Sequence, residues 1–276
     1  LCRRTKRLLT RNYISIYQED AARNDVLLEL AKLDFNLVQS LHREELKSLS
    51  IWWKDLALTK SLSFVRDRLV ECYYWTLAAF SEPHYSRARV MTVKLIALTS
   101  IMDDVYDNYS TLEESRLLTD AIQRWEAQAV DQLPDYMKDF YCKLIHNLEE
   151  MKDELAPEEK YRMLYLKEEI KTLARFYFEE SKWGVEGYVP TVEEHLRVSM
   201  MTIAYPMLAC GSFVGMGDMA TKETFEWFSS YPTIVKASSI ISRLLDDIKS
   251  HEVFISFYKH LFLHFFSSYS APTMLS

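Results

Sequence analysis

Apolar residues recur every three or four positions along almost the whole of this chain. In one early stretch they form a single stripe of Leu27, Leu28, Ala31, Phe35 and Val38. This is the pattern of an amphipathic helix. The same periodicity predicts further helices over residues 52–58, 62–80, 85–109, 112–128, 134–155, 158–182, 191–214, 222–229 and 231–249. The chain is therefore predicted to be all-α.

Turn residues are scarce, which supports the helical prediction. The 276 residues include only five Gly and seven Pro, whereas strand-rich folds need such residues at every turn. Pauses in the helical pattern coincide with Pro83, Pro134, Pro157 and Pro190, as expected at helix boundaries. Thr191 is followed three residues later by a glutamate, which predicts a capping box. We find no internal repeat or Gly/Ser linker, so we expect one helical domain.

Composition argues against several classes of partner and site. The net charge of −7 disfavours nucleic acid, and no stretch reaches the roughly 20 apolar residues of a membrane span. The four cysteines, at positions 2, 72, 142 and 210, show no paired spacing. We interpret them as core residues in a reducing compartment, the cytoplasm, and not as a zinc site or a disulfide framework. No obligate protein partner is evident.

An otherwise apolar helix ends in three carboxylates, Asp103, Asp104 and Asp107. At a spacing of four, Asp103 and Asp107 are predicted to share a helix face. Like charges at that spacing destabilise an isolated helix, so a cation is a natural reason for keeping them. Mg²⁺ prefers oxygen ligands and binds through one or two carboxylates together with phosphate oxygens. A solvated helix end is the alternative that spacing alone leaves open.

A second apolar helix also ends in carboxylates, around residues 243–250. Asp246 and Ser250 are expected to share one face, with Arg243 one turn earlier on the same side. Two such helix ends suggest two walls of one cavity, each able to hold metal. Upstream lies an Arg-Asp-Arg run with Arg66 and Arg68. Guanidinium groups suit diphosphate oxygens, although this run by itself is more typical of an ordinary surface ion-pair lattice.

Taken in chain order, these features resemble the plant class I terpene synthases. Arg66 and Arg68, followed by the run from Asp103 to Asp107, look like that family's RxR and DDxxD motifs at the usual separation. Further similar stretches are residues 13–15, 31–36, 52–55, 124–125, 133–138 and 180–183. The resemblance extends from about residue 12 to residue 253.

The resemblance implies a class I terpenoid synthase helical bundle around a deep apolar pocket. It implies three Mg²⁺ ions, with Mn²⁺ as an alternative, that bridge a prenyl diphosphate to both acidic helix ends and help the diphosphate depart. The allylic cation that remains would then cyclise to a terpene. By position, the metal ligands would be Asp103, Asp104, Asp107, Asp246 and Ser250. The groups that take up diphosphate would be Arg66, Arg68 and Arg243. By analogy the substrate would be farnesyl diphosphate.

Three further residues match the family's pocket wall. Trp75 could stabilise a cation with its π face, although plain core packing is an equal alternative. Thr202 and Tyr205 lie where the family's helix is broken, and Pro206 is expected to kink that helix, because proline lacks an N–H.

Residue 254 departs from the family pattern. The family's second motif would place a glutamate there, and this sequence has Phe254. We expect residues 1–12 to be a remnant of an interdomain linker, residues 13–253 a partial metal-binding α domain, and residues 254–276 a non-homologous aromatic tail. On this interpretation the bundle lacks its last helices and lid, and the chain is expected to be poorly active. The remaining alternatives are a prenyl-diphosphate-binding paralogue without turnover, a ligand-free helical bundle, and a chain-elongating prenyltransferase, which is disfavoured because Ser250 replaces the last Asp of a second DDxxD motif.

Overall fold

The computed structural model describes the backbone of residues 9–269 and the side chains of residues 9–251, apart from 59 and 60. Within that part the fold is α-helical, as predicted. The helices are α1 Thr10–Gln18, α2 Asp25–Leu56, α3 Leu58–Ser61, α4 Leu69–Ala79, α5 Ser86–Asp104, α6 Leu112–Arg124, α7 Asp135–Asp153, α8 Arg162–Glu186, α9 Val192–Thr202, α10 Tyr205–Val214, α11 Lys222–Ser229 and α12 Thr233–Tyr269. Single turns of 3₁₀ helix separate several of them, and a π-helical turn, Val105–Tyr109, follows α5. Within the described residues, no helix is long and apolar enough to cross a membrane.

Side-chain caps explain where several helices begin. Asn24 accepts hydrogen bonds from the backbone N–H groups of Val26 and Leu27 at the start of α2. The predicted capping box between Thr191 and Glu194 is present at the start of α9. Each cap satisfies backbone donors that have no partner inside the helix, so it favours one starting residue.

Two predicted helix boundaries are wrong in the region before α4. Residues 52–56 are the last turns of the long α2, and not a separate helix. Residues 62–68 are not helical, so α4 begins at Leu69. The Asp67 carboxylate accepts a hydrogen bond from the backbone N–H of Leu69, which favours a helix start at this point. As a result, Arg66 and Arg68 lie in the segment that leads into α4.

The predicted helix over residues 191–214 is two helices. α9 ends at Thr202 and α10 begins at Tyr205, with Ala204 in the left-handed region at φ 59°. Pro206 occupies the first turn of α10, where its missing N–H leaves no hydrogen bond unmade. The interruption is therefore a break between helices and not a kink. α12 also differs from prediction, because its backbone continues to Tyr269 and does not end at residue 249.

The core forms around α5 and α8. α5 packs against α4 and α10, while α8 packs against α6, α9 and α10. The approach of α10 to α5 requires Gly215, because a Cβ at this position would lie 2.5 Å from the Cα of Ala88. This packing brings the carboxyl end of α5 beside the last third of α8.

A buried ion pair joins α2 to α5. Arg89, which is fully buried, donates two hydrogen bonds of 2.6 Å to the Glu45 carboxylate. Tyr73 on α4 and Ser86 also donate to Glu45, at 2.8 and 2.6 Å. Burial alone would raise the pKa of Glu45, but these hydrogen bonds outweigh it and lower the pKa below its ordinary value.

Candidate functional site

The first acidic cluster lies where α5 changes into the π-helical turn. The backbone N–H and the hydroxyl of Ser110 both donate to the carbonyl oxygen of Val105, at 3.0 and 2.8 Å. The wider turn ends the helix, and α6 begins directly afterwards with a capping box. Asp103 is half-buried, Asp104 is buried and Asp107 is exposed at the edge of this turn.

α8 presents a further carboxylate to this cluster. The Ser181 hydroxyl lies 3.2 Å from the carbonyl oxygen of Tyr106, and the rings of Tyr106 and Tyr177 pack with centroids 5.5 Å apart. These contacts hold Glu180 near Asp103 and Asp107, close enough for its charge to raise the pKa of both. A cavity of about 250 Å³ lies between the π-helical turn and α8, lined in part by Asp107 and Glu180.

The pKa values of the two aspartates reflect burial and mutual repulsion. Withdrawal of water raises the pKa of Asp103 to about 6, an effect that a hydrogen bond from Tyr177 opposes and the charges of Asp104 and Glu180 reinforce. Although Asp107 is open to solvent on one side, protein atoms crowd its carboxyl group on the other. That desolvation, followed by the charges of Asp103 and Glu180, raises its pKa to about 7. The site therefore concentrates negative charge.

The arginine run reaches the first acidic cluster through one of its two guanidinium groups. Arg66 donates to the buried carboxylate of Asp104 at 2.6 Å. Arg68 is half-buried and has no ion-pair partner among the residues whose side chains are described. The segment before α4 thus places one paired and one free guanidinium group next to the acidic helix end.

In the second acidic cluster, on α12, Asp247 contacts two other described side chains. Its Oδ1 accepts from Arg243 Nε at 2.7 Å, and its Oδ2 lies 3.3 Å from His195 Nε2 on α9. Asp246 is exposed, and the Ser250 hydroxyl donates back to the carbonyl oxygen of Asp246 at 2.9 Å. The predicted ligands Asp246 and Ser250 therefore face outward. Asp247, which was not predicted as a ligand, makes the contacts with Arg243 and His195.

Arg243 connects the two acidic clusters. Its Nη2 lies 3.4 Å from Glu180 Oε1, and its Nη1 lies 3.5 Å from Thr202 Oγ1 at the end of α9. Its charge also reaches Asp103 and Asp107, whose pKa values it lowers. Residues from α5, α8, α9 and α12 therefore converge on one region.

Sequence reasoning did not single out Tyr177, Glu180, His195 or Asp247. Tyr177 and Glu180 are three residues apart on α8 and so share a face, but periodicity alone does not tell which face meets α5. His195 follows the predicted capping glutamate directly, so its place in the first turn of α9 was readable, although its contact with α12 was not.

The predicted pocket residues have different environments. Thr202 is buried, whereas the side chains of Trp75 and Tyr205 are 53% and 39% exposed. Residue 254 lies outside the described side chains, as do residues 1–8 and 270–276 altogether.

The donor set suits a hard divalent cation that binds together with an anionic ligand. Among the described residues there is no cluster of three or more His, Cys, Asp or Glu side chains placed to enclose a metal on their own. Mg²⁺ does not require such a cage, because it typically uses one or two carboxylates, water and substrate phosphate oxygens. Asp103, Asp107 and Glu180 supply only oxygen donors. The raised pKa values of Asp103 and Asp107 indicate negative charge that Arg243 leaves partly uncompensated.

Comparison with known protein families gives a match over most of the chain. The metal-binding domain of the terpene synthase family matches residues 54–255. This range includes both acidic clusters and the arginine run.

Individual relatives are similar over a wider range. An alpha-humulene synthase of Zingiber zerumbet is 66% identical over 252 residues, which are 91% of this chain and 46% of the relative. A beta-eudesmol synthase of the same species is 60% identical over 253 residues, 92% of this chain and 46% of the relative. The chain thus spans about half the length of these relatives.

A solved structure shares the fold. An isoprene synthase from grey poplar leaves (Populus x canescens), in complex with three Mg²⁺ ions and dimethylallyl-S-thiolodiphosphate, superposes with a TM-score of 0.84 at 33% identity. The match covers 93% of this chain and 49% of that one.

Proposed function

The chain belongs to the terpene synthase family, and from this premise we propose that its site binds a prenyl diphosphate with Mg²⁺ and promotes its ionisation and cyclisation to a terpene. The observation that carries the proposal is the convergence of Asp103, Asp107, Glu180 and Arg243 from three helices. Carboxylates on one side and a guanidinium group on the other suit a cation and an anion bound side by side.

Six residues are the proposed metal ligands. Five of them follow from the sequence, Asp103, Asp104, Asp107, Asp246 and Ser250, and Glu180 is added because its charge lies close to Asp103 and Asp107. When bound, Mg²⁺ supplies Lewis-acid stabilisation of the charge that develops on the departing diphosphate. Asp104 already holds Arg66 at 2.6 Å, so its main part is to orient that arginine. For Asp246 and Ser250 the support is the resemblance, because both face outward.

The arginines are proposed to hold the diphosphate. Arg68 has free donors, Arg66 is oriented by Asp104, and Arg243 stands between the two acidic clusters. Guanidinium groups keep their charge and present paired N–H donors to phosphate oxygens. As negative charge accumulates on the leaving group, these preorganised donors stabilise it.

The proposed pocket wall consists of Trp75, Thr202 and Tyr205. Because α9 ends at Thr202, its last carbonyl groups lack the partners that a continuous helix would supply. Trp75 and Tyr205 offer aromatic surface that suits a carbocation.

We propose farnesyl diphosphate as the substrate. The relatives from Zingiber zerumbet are named for humulene and eudesmol, which are fifteen-carbon terpenes. The isoprene synthase structure holds a diphosphate analogue with Mg²⁺, which supports the same ligand chemistry here. We also propose a cytoplasmic protein, supported by the free thiols of Cys72, Cys142 and Cys210.

The test is turnover of farnesyl diphosphate by the purified chain. We expect slow diphosphate release that depends on Mg²⁺, in keeping with the low activity expected from the sequence, with any terpene products identified by gas chromatography and mass spectrometry. Pyrophosphate binding without release would replace the proposal with the paralogue that binds without turnover. The absence of both binding and release would favour the ligand-free helical bundle.

A further inference from the structure

A histidine on α9 reaches the acidic network of α12. We propose that His195 is a positioning residue: through Asp247 it sets the direction in which Arg243 presents its guanidinium group to a diphosphate. The inference rests on the proposed function, since it concerns the same anion site.

The backbone holds His195 in a defined place. It lies in the first turn of α9, where its N–H donates to the carbonyl oxygen of Thr191 at 2.8 Å. The capping box of Thr191 and Glu194 begins the helix, and the Tyr188 hydroxyl donates to the same glutamate at 3.0 Å. The imidazole therefore extends from a helix start that three side chains stabilise.

Asp247 is held from two directions. Arg243, one turn earlier on the same helix, contacts its Oδ1 at 2.7 Å. His195 contacts its Oδ2 at 3.3 Å from a different helix. A contact within one helix moves with that helix, so among the described side chains it is the His195 contact that ties the carboxylate to another helix. Without it, Asp247 and Arg243 could turn together towards solvent.

The direction of Arg243 depends on that carboxylate. Its contacts with Glu180 and Thr202, at 3.4 and 3.5 Å, are longer than its contact with Asp247. The bond of 2.7 Å from Nε to Asp247 is the short one, so it dominates the orientation of the guanidinium plane. His195 holds Asp247, and Asp247 orients Arg243. His195 thereby influences the position of the Nη groups that are proposed to bind the diphosphate.

The experiment measures pyrophosphate binding in the presence of Mg²⁺ by isothermal titration calorimetry. His195→Phe keeps a ring of similar size but removes the donor, and we expect a roughly tenfold loss of affinity, as is typical when a partner of a binding group is removed. His195→Gln restores an N–H near the position of Nε2 and should recover most of the affinity. In an Asp247→Asn background, His195→Phe should cause little further loss.

His146 provides a matched control. Its Nε2 lies 3.2 Å from the Glu150 carboxylate on the same helix, α7, so it is a histidine–carboxylate pair of similar length that joins no other helix and lies outside the site. His146→Phe should leave pyrophosphate affinity unchanged. Should His195→Phe lose its helical circular dichroism, His195→Ala is measured against the same expectations.

The outcomes separate this inference from the proposed function. Equal affinity of wild-type protein and His195→Phe overturns the inference and leaves the proposed function standing. A loss that His195→Gln does not recover, or that persists in full in the Asp247→Asn background, also overturns it. If wild-type protein does not bind pyrophosphate with Mg²⁺, the proposed function itself fails.

Discussion

The negative charges of Asp103 and Asp107 are proposed to bind metal, but they reduce the stability of the folded chain when no metal is bound. Each is an acid whose pKa in the folded chain lies above its ordinary value, about 6 for Asp103 and about 7 for Asp107. A raised carboxyl pKa means that ionisation at neutral pH costs folding free energy. The residues that are proposed to bind metal therefore destabilise the metal-free chain.

Replacement of either aspartate by its amide should separate the two effects. Asp103→Asn or Asp107→Asn removes a repelled charge, so we expect the free energy of unfolding in EDTA to rise by about 1 kcal/mol. Mg²⁺-dependent binding of pyrophosphate should be lost in the same variants. Urea denaturation and calorimetric titration measure the two quantities.

Asp135 supplies the control for this pair. It is an exposed aspartate in the first turn of α7, and Asp135→Asn should leave pyrophosphate binding intact. Unchanged binding in both site variants would remove the metal-ligand assignment.

Arg68 provides a second test at the same scale. Its guanidinium group has no ion-pair partner among the described side chains, so its donors are free for an anion. Arg68→Lys keeps the charge but replaces the planar fork with a point charge. We expect a roughly tenfold weaker pyrophosphate affinity, which corresponds to one hydrogen bond to a charged group.

The comparison for Arg68 is Arg116, a surface residue paired with Glu113 and Asp120 on α6. Arg116→Lys should have no effect on pyrophosphate affinity. If Arg68→Lys binds as well as the wild-type chain, Arg68 does not contact the diphosphate.

Part of this site was predictable from the sequence, residue by residue. The run from Asp103 to Asp107 follows an apolar helix, so its unusual charge density could be recognised from the sequence alone. Glu180 was not identified, because one glutamate on an amphipathic helix carries no signal of which neighbour it will face. For the same reason the contacts of Asp247 were not identified, since helical spacing gives relative directions but not which direction points inward.

At the scale of helices, the Glu45–Arg89 pair ties α2 to α5 and positions α4 between them. Both partners are buried, and removal of one member of such a pair leaves an uncompensated charge. Glu45→Gln should lower the free energy of unfolding at pH 7 by about 3 kcal/mol. Urea denaturation across a series of pH values measures this difference.

The pH dependence of that difference follows from the lowered pKa of Glu45. Stability that comes from a lowered carboxyl pKa is fully present above the unfolded value, near 4.5, and is lost as the pH falls through the folded value. The difference in free energy of unfolding between wild type and Glu45→Gln should therefore be constant from pH 7 to pH 5 and become smaller below pH 4.5. A difference that becomes larger in acid would contradict this account.

The exposed neighbour Glu44, whose carboxylate lies 3.7 Å from Lys47, is the control for this substitution. Glu44→Gln should change stability by less than about 1 kcal/mol, as expected for a surface pair.

Helix existence was predictable where the apolar pattern is long, and boundaries were predictable where a side chain marks them. The capping box at Thr191 is an example of the second case. The segment over residues 62–68 was wrongly predicted as helical because Leu62 and Val65 are buried and so continue the apolar pattern. The non-helical geometry there depends on tertiary contacts such as that of Arg66 with Asp104, which local spacing does not contain.

Over the whole molecule, the central feature is the meeting of helices α5, α8, α9 and α12 around carboxylates and one bridging arginine. The chain carries a net charge of −7, and several of its carboxylates lie close together in the site. A pyrophosphate ion alone should be repelled by this region, whereas Mg²⁺ bound with it would offset the negative charge of both the carboxylates and the pyrophosphate. Binding of the metal and of the diphosphate should therefore depend on each other.

Titration of the chain with pyrophosphate, with Mg²⁺ in one series and EDTA in the other, tests this central claim most directly. Calorimetry should show saturable binding in the Mg²⁺ series and none in the EDTA series, and the affinity should increase with Mg²⁺ concentration. Equal binding in both series, or no binding in either, would contradict the claim that the two acidic clusters and Arg243 form a metal-dependent diphosphate site.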